Sequence, residues 1–351
     1  MEKLRGPDPK EMKEEIKDYF SSHLKKIPSL AKIYAAIKNE LNQVEDSLSL
    51  FAQSENVIIS DIGSYLFQKS GKRIRPAILL LCAKLLGYKG KEHIRMSALV
   101  ECIHTASLLH DDIIDNSDLR RGDQTVHAKW GPNITVLLGD YLYIVTLGRS
   151  LDSQHKEIIR ILTDVSAEMI DGELLEYSMS GNLEIDETQY LDILDKKTAS
   201  LFAASCQIAG IICGAGDEDI ARLTSFGRNL GMSFQLIDDL LDFSGEEKKL
   251  GKSVLSDLSE KRITLPLIYT IRNDGFEGRK RISEIMQESR LTADAKSDIL
   301  DMVKSNGALN YTFQKATEFS SQAKKTIQLF PESEYRDTLA LISDFVLNRS
   351  I

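Results

Sequence analysis

Apolar residues recur every three or four positions along most of the chain, which is the spacing that places them on one face of an α-helix. Alternation of apolar and polar residues, the pattern of a half-buried strand, is scarce, and no Asn-Gly or Asp-Gly pair joins two alternating runs. The sequence therefore predicts an all-α protein with helical runs over residues 33–66, 75–87, 94–116, 133–150, 156–180, 187–213, 217–244, 264–272, 279–287, 292–304 and 308–347.

Glycine and proline fall mainly between these runs, and no Ser/Gly-rich linker or shift in composition marks a domain boundary. We expect a single all-helical domain over residues 16–351, with its helices packed around a central cavity. Residues 1–15 are expected to be frayed, because chain termini are seldom tied down.

The composition limits the classes of protein to which the chain can belong. Its 351 residues are 42% hydrophobic, which is enough for a substantial core, and they carry a net charge of −9. This charge and the lack of a basic stripe argue against nucleic acid as a partner. Lys84 and Asp140 interrupt the longest apolar stretches, so no run approaches the roughly 18 residues of a membrane span, and an integral membrane protein is not expected.

The cysteines and the N-terminus both bear on the compartment. The N-terminus mixes acidic and basic residues without an apolar centre, unlike a signal peptide, and its acidic residues argue against a transit peptide. The cysteines form no CxxC pair and lie in apolar helical stretches: Cys82, Cys102, Cys206 and Cys213. Buried free thiols in a reducing compartment are expected rather than disulfides or zinc, so the predicted location is cytoplasmic.

One short acidic pattern occurs twice within apolar helical runs. The two copies supply the carboxylates Asp111, Asp112 and Asp115 and the carboxylates Asp238, Asp239 and Asp242. Because positions i and i+4 share a helix face, the first and last aspartate of each copy should point the same way. Carboxylates that close repel one another and lose hydration unless a cation lies between them. Two such helices facing each other would offer the oxygen ligands that suit Mg²⁺ and a substrate phosphate.

A single acidic motif in a chain with 53 acidic residues could instead be a solvated helix face. The recurrence favours the metal site, because both copies are embedded in leucine and isoleucine rather than in glutamate and lysine. Buried carboxylates without a counter-cation would be strongly destabilising.

Two basic clusters lie close in sequence to a predicted helix start and to the first acidic motif. Lys72, Arg73 and Arg75 come just before a helix in which Pro76 suits the first turn, and Arg120 and Arg121 follow the first motif. Arginine pairs with phosphate oxygens through two hydrogen bonds, so both clusters are candidate phosphate-binding groups. Solvated charge near a helix end is the alternative for each. The chain contains no GxxxxGK[ST] loop of the ATP-binding type.

Six segments in this order and spacing resemble the trans-isoprenyl diphosphate synthases: GKRIRP, ECIHTASLLHDDIIDNSDLRRG, GDYLY, KTASLF, GMSFQLIDDLLDF and DLSEKRITLPL. The resemblance covers roughly residues 35–350 and looks most like the bacterial octaprenyl and heptaprenyl diphosphate synthases. It implies the isoprenoid synthase fold, an all-α bundle of about ten core helices around a central active site. It also implies Mg²⁺, about three ions with substrate bound, and a homodimer.

The resemblance implies roles for individual residues. Asp111, Asp115 and Asp238 would hold Mg²⁺, supported by Asp112, Asp239 and Asp242. The allylic substrate, farnesyl diphosphate or a similar primer, would bind through its diphosphate to Arg120, Lys197, Thr198 and Gln235. Lys252 would close over the phosphates. The groups that would bind isopentenyl diphosphate are Lys72, Arg75, His104 and Arg121. The implied reaction is successive condensation of isopentenyl diphosphate with the allylic diphosphate, with release of diphosphate.

The resemblance also bears on product length. In this family, residues four and five positions before the first aspartate can form a floor beneath the growing chain; here they are Ser107 and Ala106. They lie about 7 Å along the helix from Asp111. Two small side chains leave the channel open, so a product longer than twenty carbons, about thirty to forty, is expected. Ile103 and Leu147 are weaker candidates for a deeper stop.

The last motif departs from the family pattern DLxxGKxTLP. Lys261 stands in place of the glycine and Arg262 in place of the lysine, so neither is included in the predicted site. Two other classes of protein remain open. A terpene cyclase would usually lack a second DDxxD motif and a GKRIRP segment, and a non-enzymatic regulatory subunit would typically lack one or both aspartate motifs. A catalytic subunit that needs a second, different chain is a further alternative.

Overall fold

A computed structural model describes residues 29–68, 71–120, 122–244, 254–287 and 291–348. The segment 1–15, which we expected to be frayed, lies outside the described residues, as do Arg121 and Lys252.

The described chain is almost wholly helical. Its α-helices are α1 (Leu30–Ile33), α2 (Lys38–Ser49), α3 (Val57–Phe67), α4 (Ile74–Leu85), α5 (Glu92–Ile114), α6 (Val126–Trp130), α7 (Pro132–Ser150), α8 (Glu157–Ser178), α9 (Glu187–Leu194), α10 (Ser200–Ile212), α11 (Asp217–Ser244), α12 (Ser256–Ser259), α13 (Leu265–Asn273), α14 (Gly275–Met286), α15 (Ala293–Ser305), α16 (Ala308–Ile327) and α17 (Glu334–Asn348). Short 3₁₀ turns cover Tyr34–Ile37 and Leu50–Ala52, and one π-helical turn, Asp195–Ala199, joins α9 to α10.

The helix starts follow from local chemistry. Asp186 caps α9 in a capping box with Gln189, each side chain accepting the other residue's backbone N–H. Thr125 caps α6, and Pro132 occupies the first turn of α7, where its missing N–H costs nothing.

The two longest helices carry the acidic motifs and form the centre of the bundle. The 23-residue α5 packs against α4, α7 and α10, and the 28-residue α11 packs along α10 and α16. Large side chains such as Leu99, Phe202 and Phe226 are completely buried in the core. Each such side chain stabilises the fold by about 2 to 3 kcal/mol through burial, so the core fixes the relative position of the two motifs.

The structure differs from the expected helical runs in four places. The run 308–347 is divided into α16 and α17 by residues 328–333. The run 33–66 is broken into several pieces, and the run 187–213 is interrupted by the π-helical turn. A two-residue antiparallel pair, β1 (Leu119–Arg120) with β2 (Asp123–Gln124), follows the first motif and turns at Gly122, whose φ is 85°. Glycine is favoured there because it adopts positive φ without a steric cost.

Among the helices that the structure describes, none combines the length and the apolar character needed to cross a membrane.

Candidate active site

The two acidic motifs meet at one cavity of about 150 Å³. The first motif lies at the C-terminal end of α5, and Asp115 directly follows that helix. The second motif lies near the C-terminal end of α11. Of the predicted site residues, those that line the cavity are Asp111, Asp115, Arg120, Lys197, Gln235 and Asp239.

Asp111 is a largely enclosed carboxyl group at the cavity wall. Burial raises its pKa to about 7, although the positive charge of Lys197 acts in the opposite direction. Such a group is stabilised in its charged form by any cation that enters the cavity. Asp112 points elsewhere: it is buried and accepts a hydrogen bond from Nε of Arg120 at 2.7 Å. Asp112 therefore holds Arg120 at the cavity.

Asp115 is paired with Arg262, a residue outside the site predicted from the sequence. The Arg262 guanidinium also lies 2.5 Å from a Glu260 oxygen and 3.6 Å from carboxylate oxygens of Glu176 and Asp257. Burial by itself would lower the pKa of Arg262, but these four carboxylates outweigh it and raise that pKa. Arg262 is thus a resident cation of the cavity.

The backbone next to Arg262 is constrained. Lys261 adopts a left-handed conformation with a φ of 61°, at the position where the family pattern has glycine. Its carbonyl accepts a hydrogen bond from the Gly181 N–H at 2.9 Å, and Arg262 N donates to the Asp257 carbonyl at 2.8 Å. The loop therefore keeps its glycine-like turn with lysine in place, and the turn directs Arg262 inward while Lys261 stays exposed.

Asp239 is a fully enclosed member of the second motif and the centre of a hydrogen-bond chain. It accepts hydrogen bonds from the Tyr190 hydroxyl and, at 2.8 Å, from Nε2 of Gln235. Gln235 in turn accepts a hydrogen bond from the Thr198 hydroxyl at 3.0 Å. Burial raises the pKa of Asp239, against the effect of its hydrogen-bond donors. These hydrogen bonds fix the position of Thr198 relative to α11.

The other two aspartates of the second motif differ in their surroundings. Asp242 is buried and accepts hydrogen bonds from the Ser256 N–H at 3.0 Å, the Ser256 hydroxyl at 2.8 Å and the Asp257 N–H at 3.2 Å. It ties α12 to α11, which is a structural support. Asp238 is partly exposed, next to Asp239 on the same helix.

Lys197 lies across the cavity from the first motif. Its ammonium group is 2.6 Å from a Glu173 oxygen and also pairs with Glu176, both on α8. Burial would lower its pKa, but Glu176, Glu173 and Asp111 together raise it. Lys197 therefore stays charged inside the protein.

The basic residues at the start of α4 do not line this cavity. Lys72 is exposed, and the guanidinium carbon of Arg75 lies 4.5 Å from the centroid of the Phe202 ring. His104 is partly buried on α5. Arg73 has a structural role, because it forms ion pairs with Glu45 at 2.6 Å and Glu101 at 2.8 Å. Arg75 was expected just before the helix but lies within its first turn.

The cavity can accept a divalent cation by its donor chemistry. Asp111 and Asp115 both present carboxylate oxygens, the ligands that Mg²⁺ prefers. A nearby positive charge favours the charged form of Asp111. Within the described ranges, no three Asp, Glu, His or Cys side chains are close enough to hold a metal ion by themselves. Lys197 and Arg262 stand among the carboxylates instead, so a metal would be completed by substrate oxygens.

The positions proposed to set product length lie on α5 below Asp111. Ala106 is completely buried, and Ser107 is partly buried with its hydroxyl donating to the His104 carbonyl at 2.9 Å.

Sequence reasoning missed several polar groups of this site, among them Glu173, Glu176, Tyr190, Asp257 and Arg262. The spacing of three between Glu173 and Glu176 on α8 was a usable signal, because it places two carboxylates on one helix face. For Arg262 the signal was its charge at the family's lysine position.

The chain matches known proteins over most of its length. The family model for polyprenyl synthetase matches residues 56–303. Octaprenyl diphosphate synthase of Haemophilus influenzae is 33% identical over 322 residues, covering 92% of this chain and 98% of the relative. Heptaprenyl diphosphate synthase component 2 of Bacillus subtilis is 31% identical over 316 residues, covering 90% of each. The crystal structure of a Caulobacter crescentus polyprenyl synthase, complexed with calcium and isoprenyl diphosphate, superposes with a TM-score of 0.88 at 30% identity, covering 93% of this chain and 100% of that one.

Proposed function

Because the chain belongs to the polyprenyl synthetase family, we propose that it is a Mg²⁺-dependent trans-prenyltransferase that elongates an allylic diphosphate with isopentenyl diphosphate. The proposed product is an all-trans polyprenyl diphosphate longer than twenty carbons, about thirty to forty. The observation that carries the proposal is that both aspartate motifs reach one cavity whose wall also holds Arg120, Lys197 and Arg262.

The proposed metal ligands are Asp111, Asp115 and Asp238, which together with substrate oxygens would hold about three Mg²⁺ ions. The chemistry that Mg²⁺ would supply at these residues is neutralisation of the charge that develops on a departing diphosphate. Asp112, Asp239 and Asp242 support this set through the contacts described above, since each is engaged by protein donors.

The basic side chains divide between the two substrates. Arg120 and Lys197 would donate hydrogen bonds to the allylic diphosphate as its C–O bond ionises, which stabilises the growing negative charge. Thr198 donates a hydrogen bond to Gln235, which lines the cavity, and this pair would lie next to the developing allylic cation. The double bond of isopentenyl diphosphate attacks that cation, and the proton is lost to the released diphosphate, so no side-chain base is required.

The second substrate is proposed to bind through a separate set of cations. Lys72, Arg75 and His104 would hold the diphosphate of isopentenyl diphosphate. Arg121 would join them and Lys252 would close over the phosphates, although both lie outside the described residues.

Diphosphate release tests this proposal against a terpene cyclase. Purified protein with Mg²⁺ should release diphosphate from farnesyl diphosphate only when isopentenyl diphosphate is also present. A cyclase would release it from the allylic substrate alone, and that result would overturn the proposal.

A catalytic subunit of a two-chain synthase is a second candidate, because one relative is named as component 2 of a heptaprenyl diphosphate synthase. We favour a homodimer. Its support is a set of large apolar side chains that α7 and α8 leave exposed: Val136, Leu137, Ile144, Ile170, Leu174 and Tyr177. A patch of this kind marks a protein interface. The proposal includes a cytoplasmic location, with delivery of the lipid product to a membrane.

Ala106→Phe should shorten the product. The added ring would fill the space below the aspartates at a completely buried position, so elongation should stop at about fifteen to twenty carbons. Overpacking of this kind costs about 1 to 3 kcal/mol in the free energy of unfolding. This loss would lower the amount of product, but the length of the product molecules does not depend on their amount. The measurement is chromatography of labelled products.

Ala128→Phe is the matched control, because it adds the same ring at an exposed position on α6 and should leave the product unchanged. An unchanged product from Ala106→Phe would mean that the chain does not pass this position.

A further inference from the structure

Two candidate catalytic groups sit on a break in helical geometry. Lys197 and Thr198 belong to the π-helical turn Asp195–Ala199, in which the Ser200 N–H donates to the Asp195 carbonyl, five residues back. The Ser200 hydroxyl donates to the Lys196 carbonyl at 2.6 Å, which satisfies an acceptor within the turn. Single π-helical turns inside α-helices are uncommon and frequently occur at functional sites. The question is what holds this turn in place.

On one side, the turn rests against Gly172 of α8. A Cβ atom at Gly172 would lie 2.7 Å from the Lys197 backbone nitrogen and 2.9 Å from Cβ of Lys196, closer than such atoms can approach. Gly172 has ordinary helical geometry, so glycine is not needed there for its backbone freedom. It costs α8 about 1 kcal/mol relative to alanine. The space that Gly172 leaves for the turn is the physical reason for a glycine at this position.

On the opposite side, the turn rests against Gly231 of α11. A Cβ atom there would lie 2.6 Å from Cα and 3.0 Å from Cβ of Ala199, the last residue of the turn. The turn is therefore enclosed between two helices, each of which contacts it through a glycine.

The same two helices hold the side chains of the turn. Glu173 and Glu176 on α8 pair with the Lys197 ammonium group, and Gln235 on α11 accepts the Thr198 hydroxyl hydrogen at 3.0 Å. Each of the two helices therefore contacts both the backbone and a side chain of the π-helical turn.

We propose that Gly172 and Gly231 are positioning residues that clamp the π-helical turn, so that Lys197 lines the active-site cavity and Thr198 keeps its hydrogen bond to Gln235. The inference rests on the proposed function for the roles of those two side chains. Neither glycine would touch substrate. Each would act through the backbone of the turn, and a side chain at either position would push the turn away from its helix.

Gly172→Ala and Gly231→Ala should therefore lower kcat by about 10- to 100-fold, because a displacement of about 1 Å at reacting groups can cost that much. In Gly172→Ala the KM for isopentenyl diphosphate should stay within about twofold, since the added Cβ contacts Lys196 and Lys197 and not Lys72 or Arg75 at the start of α4. Gly231→Ala is judged by kcat alone, because its Cβ also comes within 3.1 Å of Phe202, on whose ring Arg75 rests. Gly210→Ala is the matched control. It adds a Cβ 2.9 Å from Cγ1 of Ile220, crowding α10 against α11 well away from the turn, and should keep kcat within about threefold.

Calorimetric binding of inorganic diphosphate supplies a readout that does not depend on turnover. Each clamp variant should bind diphosphate about tenfold more weakly than the wild type, and Gly210→Ala should bind it normally. Thermal unfolding identifies variants that do not fold. If one clamp variant fails to fold, the other tests the same turn from the opposite side.

The two proposals fail separately. Wild-type protein that binds diphosphate but makes no prenyl product would refute the proposed function, and the binding series would still decide the clamp. Folded Gly172→Ala and Gly231→Ala proteins with normal kcat and normal diphosphate binding would overturn the clamp. Equal losses in Gly210→Ala would also overturn it, because general crowding would then explain the effect.

Discussion

Asp111→Asn should lower turnover by about three orders of magnitude or more while the helical fold stays intact. Burial raises the pKa of the Asp111 carboxyl to about 7, which reflects the cost of holding that charge inside the protein. An amide of the same shape removes that cost, so the melting temperature should be unchanged or higher. It also removes a charged ligand of the proposed Mg²⁺ site, whose contribution of several kcal/mol corresponds to this loss of rate.

Steady-state kinetics with saturating Mg²⁺ and both substrates measure the effect. The control is Asp164→Asn, which neutralises an exposed carboxylate paired with Arg160 on α8 and should keep normal activity. Activity of Asp111→Asn within tenfold of the wild type would rule out Asp111 as a metal ligand.

Arg262→Gln should lower kcat/KM by about 100- to 1000-fold, the range seen when one charge-stabilising group is removed from an active site. The change leaves Asp115 and Glu176 without their shared cation and takes a positive group from the cavity. Arg262→Lys should recover most of the activity, because it keeps the charge at the position where the family pattern has lysine.

Arg279→Gln is the control for this series, since Arg279 forms an exposed ion pair with Glu184 and exposed pairs contribute little. A purely structural role for Arg262 would lower the melting temperature of Arg262→Gln without changing kcat/KM per folded molecule. That outcome would remove Arg262 from the site.

The features that follow from local periodicity were predictable. The spacing of apolar residues predicted an all-α protein, and the helices of the structure and the match to a Caulobacter crescentus polyprenyl synthase confirm it. The repeated motif placed Asp111 and Asp115 on one face, and both line the cavity. The predicted family is confirmed by the matches over residues 56–303 and to octaprenyl diphosphate synthase.

The roles of neighbouring charges were less predictable, because they depend on partners far away in sequence. Arg73 looks like Lys72 and Arg75 in the sequence, yet its ion pairs to Glu45 and Glu101 make it structural. Asp242 looks like Asp115 but caps the α12 segment.

The π-helical turn was not predictable from periodicity at all. A π-helical turn contains one residue more than an α-helical turn, and this shifts the spacing of apolar residues by less than that spacing varies between ordinary helices. Residues 187–213 were therefore expected to form one continuous helical run. Its clearest signals are Gly172 and Gly231, whose role becomes visible only once three helices are packed together.

The central claim is that this chain by itself builds a long prenyl chain with Mg²⁺. The most direct measurement is the product distribution from purified protein with Mg²⁺, farnesyl diphosphate and labelled isopentenyl diphosphate, read by chromatography with and without a chelator. We expect products longer than twenty carbons, about thirty to forty, and none when the metal is chelated. No elongation from any allylic primer, or elongation unaffected by the chelator, would contradict this account.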